Sequence, residues 1–242
     1  VTFTLLALLI LFVAAMVQGS IGFGFGLVSM GLLPWLVDVK LAVPMVALFG
    51  LCVNGSLLLH LRQHVRAKRF MPLVLGGFVG LPLGVFFLHR AESNTVKLVL
   101  GIVILFYVVW SVLDRSLSQR EAGPGWGALA GAAGGALGGA FNTGGPPAIM
   151  YLATQTWSPE SIKANLQIYF FIGSIVQLTL YGFSGLLTLD VLILDAQLLP
   201  AVLLGVWAGA KLSRRINRAF FQRFVLAALF ILGILFVIRS QG

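Results

Sequence analysis

The chain is poor in charge. Of its 242 residues only 10% are Asp, Glu, Lys or Arg, where a soluble domain carries roughly 25%. It has 7 acidic residues, 3 histidines and 1 cysteine. A single Cys52 excludes a disulfide within one chain. Three histidines with no HExxH, CxxC or GxSxG spacing leave no metal site and no nucleophile with its base. An enzyme is therefore not expected, and neither is a cofactor. What fills the chain instead is apolar: 59% hydrophobic residues and a mean hydropathy of +1.02. These values describe an all-α polytopic membrane protein in a lipid bilayer. The net charge of +9 would suggest nucleic acid in a soluble protein. Here the basic residues sit between apolar runs, which reads as topology, with no nucleic-acid partner. No cleavable signal peptide is expected, because the chain opens directly on an apolar run; Val1 as first residue suggests processing or trimming.

Two stretches interrupt the apolar runs. Ala140–Met150 reads AFNTGGPPAIM and Gln18–Gly26 reads QGSIGFGFG. A helix cannot pass through Gly-Gly-Pro-Pro without losing backbone hydrogen bonds. In hydrocarbon such a break is tolerated only where it is buried or lines a cavity. Pro146 and Pro147 suit the first turn of a new helix, whose positive N-terminal end would face the break as an anion site.

In order, the chain predicts a hairpin over 3–37 with arms near 3–17 and 27–37, then spans over 41–61, 70–88 and 96–113. A hydrophilic cytoplasmic linker, 114–124, separates the halves. The second half, 125–242, repeats the pattern: a hairpin over 125–157 with arms at 126–140 and 148–157, then spans over 161–183, 192–210 and 224–238. Arms of about eleven residues cross only about half of the hydrocarbon core, so both hairpins are expected to be re-entrant. The halves align at an offset near 120. Gly19 falls on Gly138, Gly26 on Gly145, Lys40 on Lys163, Gly50 on Gly173, Asn54 on Gln177, Ser56 on Thr179, and Leu83-Gly84-Val85 on Leu204-Gly205-Val206.

Charge sets the orientation of the halves. If all eight apolar segments spanned with the N-terminus cytoplasmic, 7 Lys+Arg would lie inside and 9 outside. With both hairpins re-entrant, 12 lie inside and 4 outside (Lys40, Arg90, Lys97, Arg239). The positive-inside rule favours the second arrangement. Each half then has a hairpin plus three spans; three is odd, so the two repeats are inverted.

QGSIGFGFG, FNTGGPPAIMYL and the following SIKANLQIYF resemble the sulfite exporter TauE/SafE family over nearly the whole length. An Arg is common in that family where Lys163 stands, so the charge is kept with a different head group. The first break is less polar than the second, with Phe23 and Phe25 between its glycines. The resemblance implies a multi-pass secondary transporter of the cytoplasmic (inner) membrane. It implies a small sulfur-containing anion (sulfite, thiosulfate or an organosulfonate) as substrate, moved by ion gradients with protons as a candidate coupling ion. Which anion, its direction of travel and the oligomeric state stay open, as does the side of the N-terminus. A passive anion channel and a non-transporting accessory subunit are the alternatives.

The expected substrate-binding residues are Gln18, Ser20, Gly22, Gly24, Gly26, Asn142, Thr143, Gly144, Gly145, Pro146, Lys163 and Gln167. The glycines line the breaks or serve helix packing. Asn142 and Thr143 donate to an anion or cap the broken arm, with Gln18 and Ser20 as weaker counterparts. Lys163 complements an anion or snorkels. Asn54 and Gln177 line the path or join helices. Asp195, an acid inside an apolar run, is the candidate for proton coupling.

Overall fold

The computed structural model describes residues 2–113, 121–212 and 218–239. Every regular element among them is helical. The order is α1 (Thr2–Ile21), α2 (Phe25–Leu32), α3 (Val39–Leu61), α4 (Ala67–Arg90), α5 (Ser93–Leu113), α6 (Pro124–Phe141), α7 (Gly145–Ala153), α8 (Pro159–Phe183), α9 (Leu189–Leu212) and α10 (Arg218–Arg239), with 3-10 turns at Leu33–Trp35 and Arg62–His64. Seven helices are long and apolar enough to cross a membrane: α1, α3, α4, α5, α8, α9 and α10. The protein is a multi-pass membrane protein. Most of the expected linker, with Arg115 and Arg120, lies outside the described residues, as do Arg214 and Arg215.

Local chemistry sets the helix starts. Asp38 caps α3 by accepting from the Lys40 N–H at 2.8 Å, and Ser158 caps α8 by accepting from Ser161 N–H. Pro124, Pro146 and Pro159 stand in first turns, where a missing N–H costs nothing. Both breaks are narrower than their composition suggests. Gly22, Phe23 and Gly24 separate α1 from α2; Asn142, Thr143 and Gly144 separate α6 from α7. The expected half-length first arm is also corrected. α1 has 20 residues, about 30 Å of helix, because Gln18-Gly19-Ser20-Ile21 stays helical against α9. α6 has 18 residues, seven of them glycine.

Small residues weld these helices together. A Cβ added at Gly76, Gly80 or Gly84 of α4 would lie 1.9–2.1 Å from the carbonyls of Ala128, Ala132 and Ala136 on α6. Gly131, Gly135 and Gly139 meet α4 in the same way. Both numberings rise together, so α4 and α6 run parallel. α1 and α9 repeat this arrangement. Gly205 abuts the Phe12 carbonyl, Gly209 abuts that of Met16, and Gly19 abuts that of Val206. α3 and α8 instead run antiparallel, with Gly50 at Ser174, Gly55 at Phe171 and Arg66 at Asn165. α5 and α10 also run antiparallel, with Gly101 beside Phe236 and Gly233 beside Leu105.

Gly139 sits between Leu81 O and Val85 N, and Gly19 sits between Val206 O and Ala210 N. Gly80 and Gly84 face the carbonyls of Ala132 and Ala136 as Gly205 and Gly209 face those of Phe12 and Met16.

Gly80→Ala is expected to cost about 1–3 kcal/mol through overpacking and to lower the thermal unfolding midpoint of the purified protein. Gly182→Ala, where nothing lies within 4 Å, is expected to leave it unchanged or higher. Equal midpoints would contradict the packing account.

Candidate functional site

The two breaks meet. A Cβ added at Gly26 would lie 1.9 Å from the carbonyl oxygen of Asn142, so only glycine permits this approach. Around that contact is a cavity of about 80 Å³, several times the ~10–15 Å³ that one water needs. It is walled by both breaks and by α3, α4, α6 and α8.

Each broken helix ends in the same way. The Gly22 N–H donates to Gln18 O at 2.7 Å, and the Asn142 N–H donates to Gly138 O at 2.8 Å. Both residues have positive φ, 98° for Gly22 and 55° for Asn142. This is the left-handed C-terminal cap, which takes glycine or, less often, asparagine.

α2 and α7 then begin at the cavity. Gly24, Phe25, Gly26 and Leu27 line it from α2; Gly144 and Gly145 line it from α7. Both helices present a positive N-terminal end there, and neither has an acidic residue in its first turn. Pro146 and Pro147 bring no N–H, so the α7 end offers fewer donors than the α2 end. Gln18 occupies one α2 donor, its Oε1 accepting from the Phe25 N–H at 3.0 Å.

Two amide networks hold the breaks. In the first, Gln18 Nε2 donates to Asn54 Oδ1 and, at 3.4 Å, to Gln167 Oε1, while Gln167 Nε2 donates to Gly22 O at 2.6 Å. In the second, Gln177 Nε2 lies 2.8 Å from Gly138 O, 2.8 Å from Asn142 Oδ1 and 2.6 Å from the Tyr181 hydroxyl. Asn142 Nδ2 donates to Val43 O at 2.7 Å, and the Tyr181 hydroxyl donates to Gly139 O at 2.6 Å.

Of the residues expected from sequence, Gln18, Gly24, Gly26, Asn54, Asn142, Thr143, Gly144, Gly145 and Gln177 line the cavity. Ser20, Gly22, Pro146, Lys163, Gln167 and Asp195 do not. The Ser20 hydroxyl faces α9 and donates to Gly209 O at 2.9 Å. The Lys163 stem lies along Gly22, where an added Cβ would be 3.1 Å from its Cγ. Gln167 holds the backbone of the first break from behind. Asp195 is fully buried elsewhere in α9.

The sequence reading missed the aromatic wall, Phe23, Phe25, Tyr169 and Phe170, and the small residues Gly50, Gly77 and Ser174. Phe23 and Phe25 stand between the break glycines, which is the one signal that could have placed them. No Asp, Glu, Lys, Arg or His side chain lines the cavity among the described residues. Two helix ends of positive sign thus face an uncharged, amide- and aromatic-lined space. It suits a small anion.

The family model described as "Sulfite exporter TauE/SafE" matches residues 7–236. A curated relative from Cupriavidus necator, named "Probable sulfite/organosulfonate exporter TauE", is 25% identical over 221 residues, covering 89% of this chain and 86% of its own. No solved structure matches.

Asn142→Ala is expected to lower the unfolding midpoint more than Asn142→Gly. Both lose the bonds to Val43 and Gln177, but alanine also bears a left-handed backbone costing about 1–2 kcal/mol. Equal losses would show that the backbone conformation carries no constraint.

Proposed function

Because the chain belongs to the sulfite exporter TauE/SafE family, we propose that it carries a small sulfur oxyanion or organosulfonate across the cytoplasmic membrane. The anion sits in the cavity between the N-terminal turns of α2 and α7. One observation carries this reading: two positive helix ends converge on a cavity with no charged side chain in its lining. Sulfur oxyanions accept hydrogen bonds on several oxygens at once. The α2 N–H groups and the side chains of Asn54 and Ser174 are the donors within the lining; Gln18 Nε2 and the Thr143 hydroxyl already donate to protein groups. Phe23, Phe25 and Phe170 would take the carbon skeleton of a sulfonate. Lys163, held against the first break, draws the anion toward it without entering the cavity.

Alternating access between inverted halves is the mechanism. A two-fold axis in the membrane plane makes equivalent helices antiparallel, whereas an axis along the membrane normal would make them parallel. The antiparallel pairs α3/α8 and α5/α10, with the matched pairs α1/α9 and α4/α6, support the first. α1 descends beside α9 while α6 ascends beside α4, so the hairpins enter from opposite faces and overlap at Gly26 and Asn142. Rocking one half against the other would move the cavity from one face to the other.

Reconstituted in liposomes, the protein is expected to show trans-stimulated exchange of labelled sulfite, thiosulfate or methanesulfonate. Flux without trans-stimulation would indicate a passive pore; no flux of any of them would overturn the anion reading. Gln18→Glu keeps a side chain able to cap α2 but places a negative charge in the lining. It is expected to cut anion affinity by about a hundredfold, the loss that follows from ~3 kcal/mol of unfavourable charge. A variant that folds and binds as the wild type does would remove the anion from this cavity.

A further inference from the structure

Glycine joins α5 and α10 at one end only. A Cβ added at Gly101 would lie 2.9 Å from the Phe236 Cβ, and one at Gly233 would lie 2.8 Å from Leu105. Beyond these contacts, toward the C-terminal end of α5 and the N-terminal end of α10, the facing residues are mostly valine, leucine and phenylalanine. No glycine there lets the backbones meet, and the helices part around a groove of about 760 Å³. Its walls include Val109, Val112 and Leu113 of α5 and Leu226, Ala227 and Phe230 of α10. All of these except Leu226 are exposed.

The groove carries charge at one place. Arg223 is the single charged residue of its lining among the described residues. It stands at the end where α5 stops and α10 starts. The segments that flank this end in sequence, 114–124 and 211–223, hold seven of the 16 Lys+Arg, against Asp114 and Glu121. From Gln222 to Phe230, α10 rises about 12 Å, most of the ~15 Å depth of one leaflet. The groove is thus apolar over the depth of a leaflet and cationic at the level of the headgroups. A soluble anion would leave the apolar length unused, and a zwitterionic lipid would leave the basic end unmatched.

The groove also backs onto the first break. Gln222 and Leu226 line a small void whose other walls include Phe23, Gly24 and Tyr107. Ser111, in the groove wall, is hydrogen-bonded to Tyr107. Tyr107 meets Phe23 edge-to-face, with ring centroids 6.2 Å apart. Phe23 and Gly24 line the anion cavity. One layer of side chains therefore separates the groove from that cavity.

We propose that an anionic phospholipid of the leaflet on the basic face occupies this groove and braces the first break. Its phosphate sits on Arg223, and an acyl chain lies along Val109, Val112, Ala227 and Phe230. With the groove filled, Leu226 and the Ser111–Tyr107 pair are held from the lipid side, and Phe23 keeps its place in the cavity wall. The lipid seat stands on the groove itself; its effect on transport rests on the anion reading above.

The test titrates delipidated protein in detergent with phosphatidylglycerol or phosphatidylcholine. Native mass spectrometry counts the bound lipid, and the unfolding midpoint is read in parallel. The wild type is expected to bind phosphatidylglycerol in preference and to unfold at a higher temperature when it does. Arg223→Gln is expected to lower that preference about fivefold, the share of one cation near a membrane surface. Ala227→Trp fills the groove from an exposed position. It is expected to abolish the preferred binding and to leave the lipid-free midpoint unchanged. Equal binding of the two lipids by the wild type, or wild-type binding by both variants, would overturn the proposal. So would a lipid-free dimer that is lost in Ala227→Trp, which would give the groove to a second copy of the chain. If Ala227→Trp fails to fold, Arg223→Gln decides alone. In phosphatidylcholine liposomes, added phosphatidylglycerol is expected to raise methanesulfonate exchange by the wild type severalfold and to leave that of Ala227→Trp unchanged. The same response in both would overturn the bracing of the break. No exchange by the wild type in either lipid, with phosphatidylglycerol still bound, would place the failure in the anion reading rather than in the lipid site.

Discussion

The structure depends on one backbone contact, Gly26 against the carbonyl of Asn142. Two helices broken inside a membrane each leave N–H and C=O groups that lipid cannot satisfy. Side chains answer some of them: Gln18 accepts from the Phe25 N–H, Gln167 donates to Gly22 O and Gln177 donates to Gly138 O. The ends of α2 and α7 that face the cavity are positive N-termini. The same geometry that solves the problem of a broken helix in hydrocarbon produces a space suited to an anion.

That contact could not persist without the two welded pairs, α4 with α6 and α1 with α9. Hydrophobic burial gives little drive between helices in lipid, so close packing of small residues must hold them. Carbonyl oxygens sit where a Cβ would be at Gly76, Gly80 and Gly84, and again at Gly205 and Gly209. Each weld joins a helix that ends at a break, α6 or α1, to an uninterrupted membrane-length helix, α4 or α9.

Much of this was legible in the chain. Runs of apolar residues bounded by Arg62–Arg69 and Lys211–Arg223 locate the spans, and Gly-Gly-Pro-Pro locates a break because proline has one place in a helix, its start. Other features depend on distant partners and left no local trace. α1 continues through Gln18-Gly19-Ser20-Ile21, a stretch whose letters suggest a break, because α9 supplies a carbonyl for Ser20 and a surface for Gly19. In sequence Asn142 reads as a donor to an anion or as a cap of the broken arm; in the fold it caps α6 and its side-chain amide is held between Val43 and Gln177. The aromatic wall was hidden for a similar reason, since Tyr169 and Phe170 become a wall only when Gly134 of α6 and Gly145 of α7 are brought against them.

The central claim is that an anion rests between the opposed ends of α2 and α7. It is tested most directly by determining the structure with selenite, a heavier analogue of sulfite, and locating selenium by its anomalous scattering. The account predicts one principal peak inside the cavity bounded by Gly24–Leu27 and Gly144–Gly145. A principal peak elsewhere, at Lys211 or another surface cation, with the cavity empty at a selenite concentration that supports exchange, would contradict it.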